Sequence, residues 1–411
     1  MHVNCYNSSI VTARKISADT LLSAFLCLFA AAALFSVTAV ETALFLNLMT
    51  LLVIRYREGS IKEALSFLGC HPLFIPWALY LGVCLLTAIT AYYPGKAFGQ
   101  LNSDFLKYVC LSTLLLAVRK DHLPRLSAFY AAAAGVSAVF GMYEALGSLA
   151  AGNGLARAGV LMNAVRYGEA MSIALLLQLS LLLQGGEAPA GRRFPLRLSA
   201  VLTFAAVLLT QTRGAYLGLF VGMLCIFTFS PASRKRLALA GGVMLLAVVL
   251  LAAFSPGVRN RVDASVAFKR GDFAANSAST GINIRLELWK VGYKMFKAHP
   301  VVGVGPDNIK RLFKKFHPEP FPEDGVYGTL NNIYVHQAAE RGTLGLAALL
   351  FLFWAMLNFA LRRFRATSSP YALWALCALP AFYVMNLTEI SFQHVHTSFA
   401  IFLALAFAAA A

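Results

Sequence analysis

A histidine followed four residues later by a glutamate stands at the head of an apolar run, in Asn331-Asn332-Ile-Tyr334-Val-His336-Gln-Ala-Ala-Glu340-Arg341-Gly342. On a helix the two side chains share one face. A carboxylate so placed holds the tautomer of the imidazole and raises its basicity, which suits a general base. The same segment also reads as a capped helix start with a structural histidine, and spacing alone leaves both readings open.

Two arginines carry a different chemistry. Arg213 lies in Gln211-Thr212-Arg213-Gly214, a very short connection between two apolar runs. The connection pins it beside a helix N-terminus, where the backbone dipole is positive. Its planar fork matches phosphate oxygens. An arginine snorkelling to a membrane surface would look the same. Arg285 opens Arg285-Leu-Glu287-Leu-Trp-Lys290. On its own it reads first as a surface or structural arginine paired with Glu287, and only second as an anion site.

These residues need elements to position them, and composition says where those elements live. Of 411 residues, 59% are hydrophobic and only 13% charged, with a mean hydropathy of +0.68. Soluble domains are about half apolar and about a quarter charged. One soluble core could not hide so much apolar surface, so the solvent is lipid. The fold class is therefore all-α and polytopic. Apolar runs fall at roughly 20–36, 39–54, 72–92, 103–118, 125–149, 168–184, 198–212, 214–230, 237–255, 343–361, 370–388 and 395–411, about twelve transmembrane helices.

The formal charge of +17 follows the connections. One set carries Arg14, Lys15; Arg55, Arg57, Lys62; Arg119, Lys120, Arg125; Arg192, Arg193, Arg197; Arg234, Lys235, Arg236; and Arg362, Arg363, Arg365. The intervening short loops hold only Lys96, Arg157, Arg166 and Arg213. This alternation is the positive-inside pattern and places both termini in the cytoplasm. The basic balance thus sets topology, and no nucleic-acid partner is implied. The first run, with its long n-region and further spans behind it, reads as a retained anchor. The whole chain, 1–411, is one transmembrane domain.

One connection departs from the rest. Residues 256–342 form a long, polar outer loop with thirteen Lys and Arg against eight Asp and Glu. Helical character is expected from Ile284 to Ala298 and, as a basic amphipathic helix, from Ile309 to Phe316. A turn at His299-Pro300 and Gly303-Val-Gly305-Pro306 separates them, and another helix starts near Asn331. Charges beside apolar runs fall almost entirely at outer ends: Glu41, Asp104, Lys107, Glu144, Glu169, Arg213, Glu340, Arg341 and Glu389. An empty midplane disfavours ion pumps and proton-coupled carriers. Cys5, Cys27, Cys70, Cys84, Cys110, Cys225 and Cys377 show no CxxC or Cys/His cluster, so neither disulfides nor structural zinc is expected. His394 and His396 read as packing residues, Glu323-Asp324 is a poor metal motif, and no cofactor is expected.

Together these features resemble the O-antigen ligase family of lipid-linked glycan transferases. The resemblance rests on Thr-Arg213-Gly, the large late outer loop, Arg285 in Arg-Leu-Glu-Leu-Trp, His299-Pro300 before Gly303-Val-Gly305, and Asn331-Asn332-Ile-Tyr-Val-His336. It covers roughly 160–345 with motifs and the rest by hydropathy alone. The resemblance implies a metal-independent, inverting glycosyltransferase of the bacterial inner membrane. Such an enzyme would move polysaccharide from undecaprenyl pyrophosphate to lipid A–core at the periplasmic face, completing lipopolysaccharide. It implies His336 as general base and Arg213 and Arg285 as holders of the donor pyrophosphate. Asn163, Arg166 and Glu169 are further candidates for donor contact, and Glu340 and Arg341 would line the cavity between the two substrates. An O-antigen polymerase or protein O-oligosaccharyltransferase would use the same donor. A lipid-linked sugar transporter is the alternative of another class.

Overall fold

A computed structural model describes residues 18–152, 155–184, 190–230, 242, 281–317 and 326–411. The expected span at 237–255, the first part of the outer loop, Cys5 and Glu323-Asp324 lie outside the described residues. Among the described residues every regular element is a helix.

In chain order these are α1 (Ala18–Ala32), α2 (Val37–Arg57), α3 (Ile61–Cys70), α4 (Phe74–Ile89), α5 (Pro94–Ala117), α6 (Leu123–Ala150), α7 (Ala164–Leu183), α8 (Ala190–Leu209) and α9 (Arg213–Phe229). After the undescribed stretch come α10 (Gly281–Ala298), α11 (Ile309–Phe316), α12 (Ile333–Thr367), α13 (Pro370–Met385) and α14 (Val395–Ala410). Each of the eleven expected spans inside the described residues falls on a helix. Among the described residues four elements are long and apolar enough to cross a membrane unaided: α2, α6 with the turn before it, α7 and α12. A fifth arises if α3 and α4, bent by 84°, count as one broken span. The shorter apolar helices are α1, α9, α13 and α14. The molecule is a multi-pass membrane protein on this evidence, and length and apolarity alone stop short of fixing twelve crossings.

Two elements differ from expectation. Helix α3 falls in what reads as a charged connection; it has no buried residue and exposes Ile61, Leu65 and Phe67. Ten residues are too few to register as a span. Helix α5 begins at Pro94, whose ring suits the first helical turn. Asp104 and Lys107 therefore sit near the middle of α5, not at its end. The polar start of α5 hides from a hydropathy window.

Helix α13 lies at the centre, against α7, α9, α12 and α14. Trp374 on α13 donates its indole N–H to the Ile173 carbonyl of α7 at 2.9 Å. Gly218 and Gly222 on α9 are small because α13 and Leu176 press against them, the small-residue packing that lets helices approach in lipid. Outside this bundle, α10 and α11 close a second cluster of Leu288, Val291, Met295, Leu312 and Phe313. The basic face of α11 stays exposed.

The joint between bundle and outer cluster is a seam of backbone. Asn332 caps α12, its Oδ1 accepting from the amides of Tyr334 (2.9 Å) and Val335 (3.1 Å). Ten residues later the helix breaks at Gly342, at φ 62° and ψ −159°. Val304 and Gly305 donate their amides to the carbonyls of Ala339 (2.9 Å) and Glu340 (2.8 Å), and Thr343 donates to Pro300 (2.8 Å). A Cβ on Gly342 would overlap the Val301 carbonyl, and one on Gly303 would overlap that of Glu340. Both positions have positive φ and admit only glycine.

Gly342→Ala should therefore lower the thermal midpoint of the solubilised protein, at a cost of about 1–3 kcal/mol from backbone strain alone. Gly147→Ala, in an open position on α6 with nothing within 4 Å, should leave it unchanged or raise it. Equal midpoints for the two variants would show that the seam does not carry the fold.

Candidate active site

His336 sits one turn into α12 and is buried, as is Glu340; their side chains are each 2% exposed. The ring Nε2 lies 3.2 Å from Glu340 Oε2. The other ring nitrogen, Nδ1, is buried without a hydrogen-bond partner. Glu340 Oε1 accepts from the Asp307 amide at 2.8 Å, so the seam loop fixes the carboxylate that faces the ring. Asp307 lies outside the spans, and its carboxyl is pushed above the usual range by desolvation and then by the facing Glu340.

The next residue, Arg341, points elsewhere. It is fully buried, with Nη2 on Asp104 Oδ2 at 2.6 Å and Nη1 on Gln337 Oε1 at 2.9 Å. Asp104 Oδ1 also takes Lys107 Nζ at 3.0 Å, again wholly buried. Two cations thus share one carboxylate in the interior. Unpaired charges there would cost several kcal/mol each, so the group stands or falls together. Arg341, expected at a substrate cavity, here ties α12 to α5.

A second cluster gathers around the turn after α13. Arg285 places Nη2 2.6 Å from Glu389 Oε1. Glu287, its expected partner, pairs instead with Lys290 at 2.6 Å, because a long-range carboxylate sits closer to the fork than the helix neighbour. Glu389 also lies in the field of Arg166 and Arg157, and burial raises its carboxyl above the ordinary value while Arg285 pulls it back. Ser391 donates its hydroxyl to Glu169 Oε1 at 2.7 Å. Glu169 is buried, with Oε2 unpartnered. Arg157 donates to the Thr210 carbonyl (2.8 Å) and Thr212 hydroxyl (2.9 Å), at the turn that presents Arg213. Arg213 itself is exposed at the start of α9. Gly214 beside it packs so tightly on Thr388 that a Cβ would collide with its hydroxyl.

The two halves meet at Glu389. The amide of Ile333, first residue of α12, donates to the carbonyls of Asn386 (2.9 Å) and Glu389 (3.1 Å). His336 lies three residues farther, a rise of about 4.5 Å along the helix. The fold thus draws Arg285, Arg166, Glu169 and the Arg213 turn to residues 388–391, and starts the histidine helix on the same turn. Asn163 is set apart from this chemistry: its Oδ1 caps α7 by accepting from the Val165 amide at 2.9 Å. Arg157, Glu389, Ser391 and Asp307 join the site without having been singled out. In the sequence Arg157 stands out only as a short-loop charge and Glu389 as an outer-end one. No local motif marks Ser391 or Asp307.

Two comparisons bear on this arrangement. Residues 198–350 match the family model described as O-antigen ligase. The matched stretch includes Arg213, Arg285, His336, Glu340 and Arg341, and excludes Glu169 and Glu389. The exopolysaccharide production protein ExoQ of Rhizobium meliloti (strain 1021) is 29% identical over 161 residues, 36% of this chain and 33% of that protein. The match thus spans about a third of that relative's length.

A double-mutant cycle tests the buried ion group. Asp104→Ala alone should cost about 3–5 kcal/mol by stranding two cations. Combined with Arg341→Leu, the loss should fall short of the sum by about 0.5–3 kcal/mol. Strictly additive losses in chemical or thermal unfolding would mean that Arg341 does not depend on Asp104.

Proposed function

We propose, taking the O-antigen ligase domain at 198–350 as the premise, that this chain is a glycosyltransferase acting on lipid-linked polysaccharide. It moves the glycan from undecaprenyl pyrophosphate to a hydroxyl of lipid A–core at the periplasmic face of the inner membrane. One observation carries the reading: the arginines and the histidine helix converge on the single turn 386–391. A diphosphate held by Arg285, Arg213 and their neighbours would lie within reach of a base on α12.

The chemistry follows from the groups present. The acceptor oxygen attacks the anomeric carbon as the bond from that carbon to the diphosphate oxygen breaks. The electron pair leaves on the diphosphate, whose charge the guanidinium forks neutralise. The hydroxyl proton passes to His336. In the tautomer that carries its proton on Nε2, 3.2 Å from Glu340 Oε2, the lone pair is on Nδ1, the nitrogen without a hydrogen-bond partner. Burial keeps bulk water from the base and favours transfer over hydrolysis. A single displacement inverts the anomeric centre and needs no metal. Arg341 and Asp104 hold α12 so that Glu340 faces the ring.

A second reading changes only the acceptor. The similarity to a protein named for exopolysaccharide production favours a growing glycan chain as acceptor, which would make the enzyme a polymerase.

His336→Ala should reduce turnover by about 10²–10⁴-fold, the usual worth of a positioned base. Arg213→Lys and Arg285→Lys should each lose most activity, since a point charge cannot replace the fork. Retained turnover in the histidine variant rejects the base, and full turnover in both lysine variants rejects the forks. Purified protein given lipid-linked polysaccharide and each acceptor in turn separates ligase from polymerase, and the same assay in chelator tests metal independence.

A further inference from the structure

Arg285 already has an anion. Glu389 Oε1 sits 2.6 Å from its Nη2, with the two side chains 28% and 15% exposed. This carboxylate lies 104 positions from the arginine in sequence. It also stands in the field of Arg166 and Arg157. Close by, Glu169 has one oxygen taken by Ser391 and the other buried and unpartnered. A cluster that must receive a dianion therefore contains two carboxylates of its own. Their presence weakens anion binding unless they have a purpose.

We propose that Glu389 is the resident counter-ion of the donor site, competing with diphosphate for the Arg285 fork. The inference rests on the donor reading above. A phosphate oxygen and a carboxylate oxygen present the same charge and similar geometry to a guanidinium. Whichever occupies the fork excludes the other from that nitrogen. The competition keeps the arginines paired inside a low-dielectric site, where an isolated charge is costly. It also acts on the product. Undecaprenyl pyrophosphate, once released from the sugar, carries more charge than the donor and would be held more tightly by unopposed arginines. Glu389 returning to Arg285 drives it off. Glu389 is thus a positioning and release residue that never touches the reacting carbon.

The test uses the full chain in lipid nanodiscs with inorganic pyrophosphate as probe, titrated by calorimetry. Glu389→Gln removes the competing charge and keeps the shape. It should bind pyrophosphate about tenfold more tightly than the parent. In the transfer assay its donor KM should fall while kcat does not rise. Glu287→Gln is the charge-matched control, since Glu287 is exposed on the same helix and pairs with Lys290; it should bind like the parent. A gain in affinity is not an outcome that misfolding can produce. If the Gln variant does not fold, Glu389→Asp carries the test: it withdraws the carboxylate by one methylene and should also tighten binding, by less. Equal or weaker binding in the folded Glu389 variants, with a parent that does bind, overturns the counter-ion alone. A parent that does not bind pyrophosphate at all overturns the donor reading and this inference with it.

Discussion

Everything at the site depends on one close approach of backbone to backbone, between the loop 300–305 and the break in α12 at Gly342. The loop amides fill carbonyls that the broken helix would otherwise leave open, and neither chain has room for a Cβ. The break matters because it opens the carbonyls of Ala339 and Glu340 to the loop amides, while the ordinary turn of the helix aims successive residues at different partners. Glu340 turns to His336 and the loop; Arg341 turns to Asp104 across the bundle. A continuous helix would keep those carbonyls for its own ladder and leave the loop without a dock. The glycines of this region are thus a condition of the His336–Glu340 arrangement, set by space and backbone angle.

Charge is handled by the same economy. The interior holds Lys107, Asp104, Arg341 and Glu340 in sequence from α5 to the site. Two positive and two negative groups balance, which is how a low-dielectric interior tolerates them. The arginine cluster near 388–391 is balanced less fully, with Glu389 and Glu169 against Arg157, Arg166 and Arg285. The surplus is positive, which suits the diphosphate proposed above.

Much of this was legible in the sequence, for identifiable reasons. Helix positions follow from hydropathy, because lipid demands long apolar runs whatever they pack against. The pairing of His336 with Glu340 follows from helix spacing. Arg285 shows where legibility ends. Its local neighbour Glu287 is the natural partner by spacing, yet the fold supplies Glu389 from another element. Asp104 and Lys107 sit mid-helix because α5 starts with polar residues that hydropathy does not register as helix. Helix α3 is too short and too mixed to stand out. Contacts between distant segments leave no periodic trace in one sequence.

Arg363 ties α12 to the end of α14. Near the far end of α12 it donates from Nε to the Ala408 carbonyl and from Nη2 to the Ala409 carbonyl, both at 2.9 Å. These are orphan carbonyls at the end of α14, which a guanidinium is well suited to satisfy. The stretch 343–367 is therefore clamped at one tip by the loop seam and at the other by a neighbouring helix. A rocking carrier needs such a rod to swing between two stances. Fastened at both tips, this one behaves as a strut between the loop seam and the end of α14.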